Sequence, residues 1–307
     1  MKKTLATALI LFIFLLPALP GCGDSREPSP SDVTETGEPQ TCNGTDGRQP
    51  ETPDESSDGS SNEAPDPSGL SGLENLLRIK KTMESGINYS ASGYSLVSTK
   101  VLFFTYEQEV WTYKDCRDGV MIQTDIAKST FVNSAWQTCF FGGKAYMRGP
   151  AFGSAKNWDG KDTEWATDAP KVYDEARYNA EYGLFGTALS VYLLDPDTVE
   201  SVSAPADNGD GTYSVTVVPD VEKATAYYRT RMKTMGDLSR LPEFSGITIE
   251  YVFDSLWRLV SSHTEERYAV KMGVISSDDC LGVVDFTYSY GNADISDYAE
   301  FFSGYAK

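Results

Sequence analysis

The chain has 307 residues, with 45 Asp and Glu against 26 Lys and Arg and a net charge of −19. Such an acidic surface repels phosphate backbones and anionic headgroups, which excludes nucleic acid as a partner and leaves membrane attachment to something other than surface charge. A single histidine excludes a histidine-rich metal centre.

Lys2 and Lys3 form a positive n-region, and Thr4 to Leu16 is an apolar run broken by Pro17 and Pro20. This layout is that of a cleaved signal peptide over residues 1–21. Leu19-Pro20-Gly21-Cys22 resembles the lipobox of bacterial lipoproteins. The resemblance implies that Cys22 becomes the N-terminus and carries acyl chains, palmitate among them. That would anchor the protein to the membrane on its extracytoplasmic side.

Residues 22–68 follow as an acylated cysteine and a tether. From Gly23 to Ser68 the apolar residues are Val33, Cys42 and Ala64, and the net charge is −10. Such a segment buries too little apolar surface to offset its conformational entropy, so a disordered stalk is expected. Residues 69–307 are long enough for one domain with a sizeable core and carry a net charge of −11.

Within the domain, Ser71-Gly72-Leu73-Glu74 reads as a capping box opening a helix from Ser71 to Glu84, with Leu70, Leu73, Leu77 and Met83 on its apolar stripe. From Tyr89 to Met147 the period changes to two. Val120, Ile122, Thr124 and Ile126 alternate, and Gly142-Gly143 reads as a two-residue hairpin turn. Gly149 to Pro170 lacks any period and reads as a long loop. Tyr173 to Leu194 reads as a helix with Ala176, Ala180, Leu184 and Ala188 on one stripe. A turn at Asn208–Gly211 leads into a strand, and Asp220 caps a further helix ending at Gly236. The rest is β, with Ile247, Ile249, Tyr251 and Phe253 on one strand face and Val284, Phe286, Tyr288 and Tyr290 on another. Strands do not alternate singly with helices, so the expected class is α+β: a large curved antiparallel sheet with helices covering one face.

Catalytic motifs are missing. There is no GxSxG, HExxH, P-loop or GxGxxG, and His263 lies in a predicted strand. Asp159, Asp162 and Glu164 beside Trp158 and Trp165, and Asp207 with Asp210, lack calcium-loop spacing and read as solvated carboxylates. A glycan-cleaving carboxylate pair is the remaining enzymatic alternative. No cofactor or metal is expected. Cys42, Cys116, Cys139 and Cys280 allow two disulfides in three connectivities, or Cys116, Cys139 and Cys280 are simply small buried residues, with Cys42 free in the tether.

Aromatic residues make up 12% of the chain, and many tyrosines fall on alternate strand positions. They read either as ordinary sheet core or as the lining of a concave face, with Ile249, Tyr251, Phe253, Phe286 and Tyr288 as ligand-binding residues. The order helix, meander, helices, strands behind a lipobox resembles the LolA-like superfamily and its LppX and LprG lipoproteins. Trp136 to Met147 and Ile247 to Lys271 are similar to hairpins of that family. The resemblance implies a half-open barrel lidded by helices and a non-enzymatic module that binds a lipid or another apolar or amphipathic ligand. A second reading is a protein–protein interaction head on a flexible stalk, with an envelope protein as partner.

Overall fold

Twelve β-strands dominate the computed structural model, which describes residues 65–307 except 102, 130–132, 152–162, 236–237 and 274. Residues 1–21, Cys22, Cys42, Trp158, Asp159 and Asp162, with the signal, anchor and nearly all of the tether, lie outside the described residues.

The first half is a meander of β1 (Tyr89–Val101), β2 (Phe104–Arg117), β3 (Val120–Ser129), β4 (Asn133–Phe141), β5 (Lys144–Arg148) and β6 (Lys171–Asp174). Short β7 (Val199–Val202) and β8 (Ala206–Asp207) precede a second meander of β9 (Thr212–Pro219), β10 (Glu243–Asp254), β11 (Leu259–Met272) and β12 (Ile275–Tyr290). The sheet runs β6-β5-β4-β3-β2-β1-β12-β11-β10-β9-β7, every pair antiparallel. Pairing of β1 with β12 therefore joins the two meanders into one open sheet. Gly142 and Gly143 both have positive φ, 58° and 72°, as the two-residue turn between β4 and β5 requires.

Helix α1 (Gly72–Glu84) opens on the expected capping box: Ser71 Oγ accepts from the Glu74 amide at 3.2 Å, and Glu74 accepts from the Ser71 amide at 2.9 Å. Its buried stripe is rotated from the expected one and consists of Gly72, Asn75, Leu76, Ile79 and Met83. Two contacts set this phase. A Cβ on Gly72 would lie 2.0 Å from the Ser203 carbonyl oxygen, so that face must be bare. Asn75, fully buried, accepts from Trp257 Nε1 at 2.8 Å and donates to the Pro67 and Ser71 carbonyls. Pro67 is itself buried, in a single 3-10 turn over Pro67–Gly69.

The long helix expected over Tyr173–Leu194 is not formed. Tyr173 belongs to β6, helix α2 spans only Glu175–Tyr182, and Gly183 at φ 91° ends it. The 184–192 segment then crosses the sheet as irregular chain. Gly186 fits there because a Cβ would lie 2.2 Å from the Phe140 ring. The expected helix after Asp220 is two helices, α3 (Val221–Ala224) and α4 (Ala226–Met235), broken at the buried Thr225.

These helices, together with the concave sheet face, enclose one large core that runs from Leu76 and Ile79 through Phe140 to Phe253 and Leu259. The short C-terminal helix α5 (Ser296–Glu300) and the following turn pack instead on the other face, where Phe302 closes over Val120, Ile122, Cys139 and Tyr146. Cys116, Cys139 and Cys280 are buried free thiols, so no bridge links these three.

Candidate functional site

A cavity of about 230 Å³, partly open to solvent, lies between the concave sheet face and the covering helices. The strands line it with alternate residues: Ser95 and Val97 of β1, Val110, Thr112 and Lys114 of β2, Gln123 and Asp125 of β3, Thr264, Glu266 and Tyr268 of β11, and Val284, Phe286 and Tyr288 of β12. A spacing of two is what the pleat dictates for one face. Tyr178 of α2, Tyr228, Arg231 and Met232 of α4, and residues of the 184–192 segment close it from above.

Of the five residues expected to bind a ligand, Tyr251, Phe286 and Tyr288 line this cavity. Ile249 and Phe253 share the inward face of β10 but are 1% and 0% exposed and belong to the packed core rather than the cavity wall. The sheet beneath them is covered directly, because α3 packs on β10. Phe286 turns across the neighbouring strand, where a Cβ on Gly93 would lie 2.4 Å from its ring. Burial pushes the Tyr288 hydroxyl up to about 12 and raises Tyr251 as well, so both present neutral hydroxyls at neutral pH.

Two polar groups define the cavity chemistry. Glu266 is 2% exposed, and Tyr192 and Tyr228 both donate to its carboxylate, the latter at 3.2 Å. Burial raises its pKa to about 7, with the two tyrosine hydrogen bonds opposing. Its space comes from Gly282, its pairing partner on β12, where a Cβ would lie 2.6 Å from Oε1. The second is Lys114, half-buried, with Nζ 5.8 Å from the Phe286 ring centroid. Burial lowers its pKa, and Asp125 opposes that shift. Asp125 is buried and already accepts from Thr112 at 2.6 Å and Gln123 at 2.7 Å.

Sequence reasoning passed over both Glu266 and Lys114. For Glu266 the signal was present: it is in phase with Tyr268 and Val270, two and four residues on, and all three are buried. Lys114 is harder to read, because the opposite phase of β2 carries Trp111 and Tyr113.

The remaining candidates stand apart from the cavity. His263 is on the outer face, hydrogen-bonded to Asp285 at 2.7 Å. Asp207 and Asp210 hold their own turn by accepting from Gly209 and Thr212 amides. Glu164 sits in the loop beyond β5, where Pro150 pairs with Trp165. Among the described residues no group of three or more His, Cys, Asp or Glu could hold a metal ion, and no helix is long and apolar enough to cross a membrane.

No protein-family model matches the sequence, and no curated protein matches it. Solved structures do resemble the fold. The chain is similar to LprF from Mycobacterium bovis, at 14% identity and a TM-score of 0.33, over 73% of this chain and 93% of that one. It is similar to a DUF1329 family protein from Desulfovibrio piger at 13% identity and a TM-score of 0.29, over 78% and 99% of the two chains. A LolA superfamily protein from Nitrosomonas europaea aligns at 9% identity and a TM-score of 0.26, over 74% and 96%. At these identities the likeness is one of chain layout.

Proposed function

We propose that this protein is an extracytoplasmic lipoprotein, anchored through acylated Cys22, whose domain holds an apolar or amphipathic ligand, a lipid above all, and does not act on it chemically. The observation that supports this reading is the cavity. A sheet and its covering helices could have packed together directly, as they do over Ile249 and Phe253; here they stand apart over Val97, Val110, Val284, Phe286 and Tyr288. Apolar walls with a few polar groups among them are the usual form of a small-molecule site. The acidic stretch after Cys22 would act as a stalk, since like charges extend a chain.

The anchor is tested by intact-mass analysis of protein from the membrane fraction. Loss of residues 1–21 and added acyl mass on Cys22 is expected; a product that keeps Met1–Gly21 overturns this part. The ligand is tested on the whole mature chain from residue 22, made with Cys22→Ser and without detergent. Native mass spectrometry should show a bound lipid-sized mass that is recovered chemically unchanged. An empty protein that takes up neither phospholipid from vesicles nor a single-chain amphiphile would overturn the binding function.

A further inference from the structure

Lys114 brings a cation to the wall of an apolar cavity inside a domain whose net charge is −11. Among the described residues no carboxylate oxygen lies within 4.0 Å of its Nζ, and its described partner is the face of Phe286. The nearby Asp125 carboxylate is engaged on both oxygens by Thr112 and Gln123. Glu266 is too far to answer it. Lys114 pairs with Ala91 of β1, whereas Glu266 pairs with Gly282, which pairs with Val97. Six residues of strand separate those levels, roughly 20 Å. A second cation, Arg231, reaches the same cavity from α4.

We propose that Lys114 anchors an anionic headgroup, a carboxylate or phosphate, and that the occupant is a single-chain anionic amphiphile whose tail runs along Val110, Phe286 and Val284. Desolvating a lysine is costly, and a charge-assisted hydrogen bond from an incoming anion offsets that cost where the fold supplies none. The size of the cavity argues for one chain. Its ≈ 230 Å³ exceeds the roughly 150 Å³ that accommodates a benzene but falls below the usual range for drug-sized ligands, about 300–1,000 Å³. With a headgroup at Lys114, a second chain would have to lie outside the cavity.

The inference rests on the ligand-binding function proposed above, and the two are separable by calorimetric titration. The probes are laurate, dodecyl phosphate and dodecanol, each below its aggregation concentration, added to the mature chain with Cys22→Ser. Both anionic probes should bind about 10-fold or more tightly than dodecanol. Lys114→Met should remove that preference and leave dodecanol binding unchanged, while Lys114→Arg should keep it. If Lys114→Met fails to fold, the comparison of probes on the wild type and on Lys114→Arg still decides. A stronger response to laurate assigns a carboxylate, and a stronger response to dodecyl phosphate a phosphate. Dodecanol binding as tightly as laurate and dodecyl phosphate overturns the headgroup site and leaves the cavity function standing; a protein that binds none of the three overturns both.

Discussion

The Tyr192 hydroxyl donates a hydrogen bond to the Glu266 carboxylate, joining the irregular segment that roofs the cavity to the sheet that floors it. Tyr228 of α4 donates to the other oxygen at 3.2 Å, so one carboxylate holds two covering elements at once. The ring planes of Tyr192 and Tyr228 meet edge to face at 87°, which packs the donors against each other over the acceptor. A buried carboxylate is expensive, and its ionised form the more so.

Glu266 therefore makes stability depend on pH. Its pKa in the fold is about 7 against an ordinary 4.5, so the folded chain holds a proton that the unfolded chain has lost across that window. The contribution is fully present below pH 4.5 and is lost as pH rises through 7. Glu266→Gln keeps volume and hydrogen-bonding capacity without ionising. Urea denaturation should show the variant gaining on the wild type by roughly 2–3 kcal/mol between pH 5 and pH 8. An equal difference at both pH values would mean that Glu266 titrates as an ordinary glutamate.

How much of this was legible follows the strength of each local signal. The β10 alternation was plain, because Ile247, Ile249, Tyr251 and Phe253 are buried while Thr248 and Glu250 are exposed, and only a strand gives that period. The Ser71–Glu74 cap and the Gly142-Gly143 turn are local devices that a few residues specify. Ala176, Ala180, Leu184 and Ala188 have helical spacing across Tyr173–Leu194, but Gly183 at φ 91° ends the helix and Gly186 lies in the irregular chain against Phe140. The cavity was illegible in a stronger sense. Whether inward side chains meet the helices or leave a gap depends on how far the covering segment stands off, and that is fixed by contacts such as Tyr192–Glu266 between residues 74 apart.

Gly186→Ala should destabilise the fold through the covering segment. The Cβ would sit 2.2 Å from Phe140, whose ring is 1% exposed and is held edge to face by Phe185 at 4.8 Å and Tyr178 at 5.3 Å. No rotation of Phe140 relieves the clash without disturbing that cluster. A loss of about 1–3 kcal/mol is expected by chemical denaturation. Gly304→Ala is the control, with nothing within 4 Å of the added carbon and an expected change within about 0.5 kcal/mol. Equal stability of the two variants would show that the segment yields freely.

Cys116, Cys139 and Cys280 should resist alkylation in the native protein. Burial raises all three thiols, and Cys139 is pushed up to about 12, with Asp297 adding to the shift. The thiolate is the nucleophile, so both access and ionisation are withheld. Iodoacetamide at pH 8 should label none of them until guanidinium is added, and then all three without a reductant. Labelling that needs a reductant would show a disulfide; native labelling of Cys139 would show that Phe302 and the C-terminal turn lift away from the sheet.

His263 offers an independent check on the outer face, because it is the chain's single histidine and its NMR titration is unambiguous. The hydrogen bond from Nδ1 to Asp285, 2.7 Å long, raises its pKa above 6.5, with partial burial opposing and Glu265 at 3.6 Å from Nε2 adding to the rise. The protonated form is the one the fold favours. Its stabilising contribution is complete below pH 6.5 and disappears as pH rises through the raised value, and the half-exposed site keeps it small. Asp285→Asn removes the largest cause and should bring the titration back toward 6.5 without unfolding the strand, since Asp285 is itself exposed. Asp285 pairs with His263 across β11 and β12, so the titration also reads the register that turns Glu266 and Phe286 inward. A midpoint at or below 6.5 in the wild type would place His263 away from Asp285 and call that register into question.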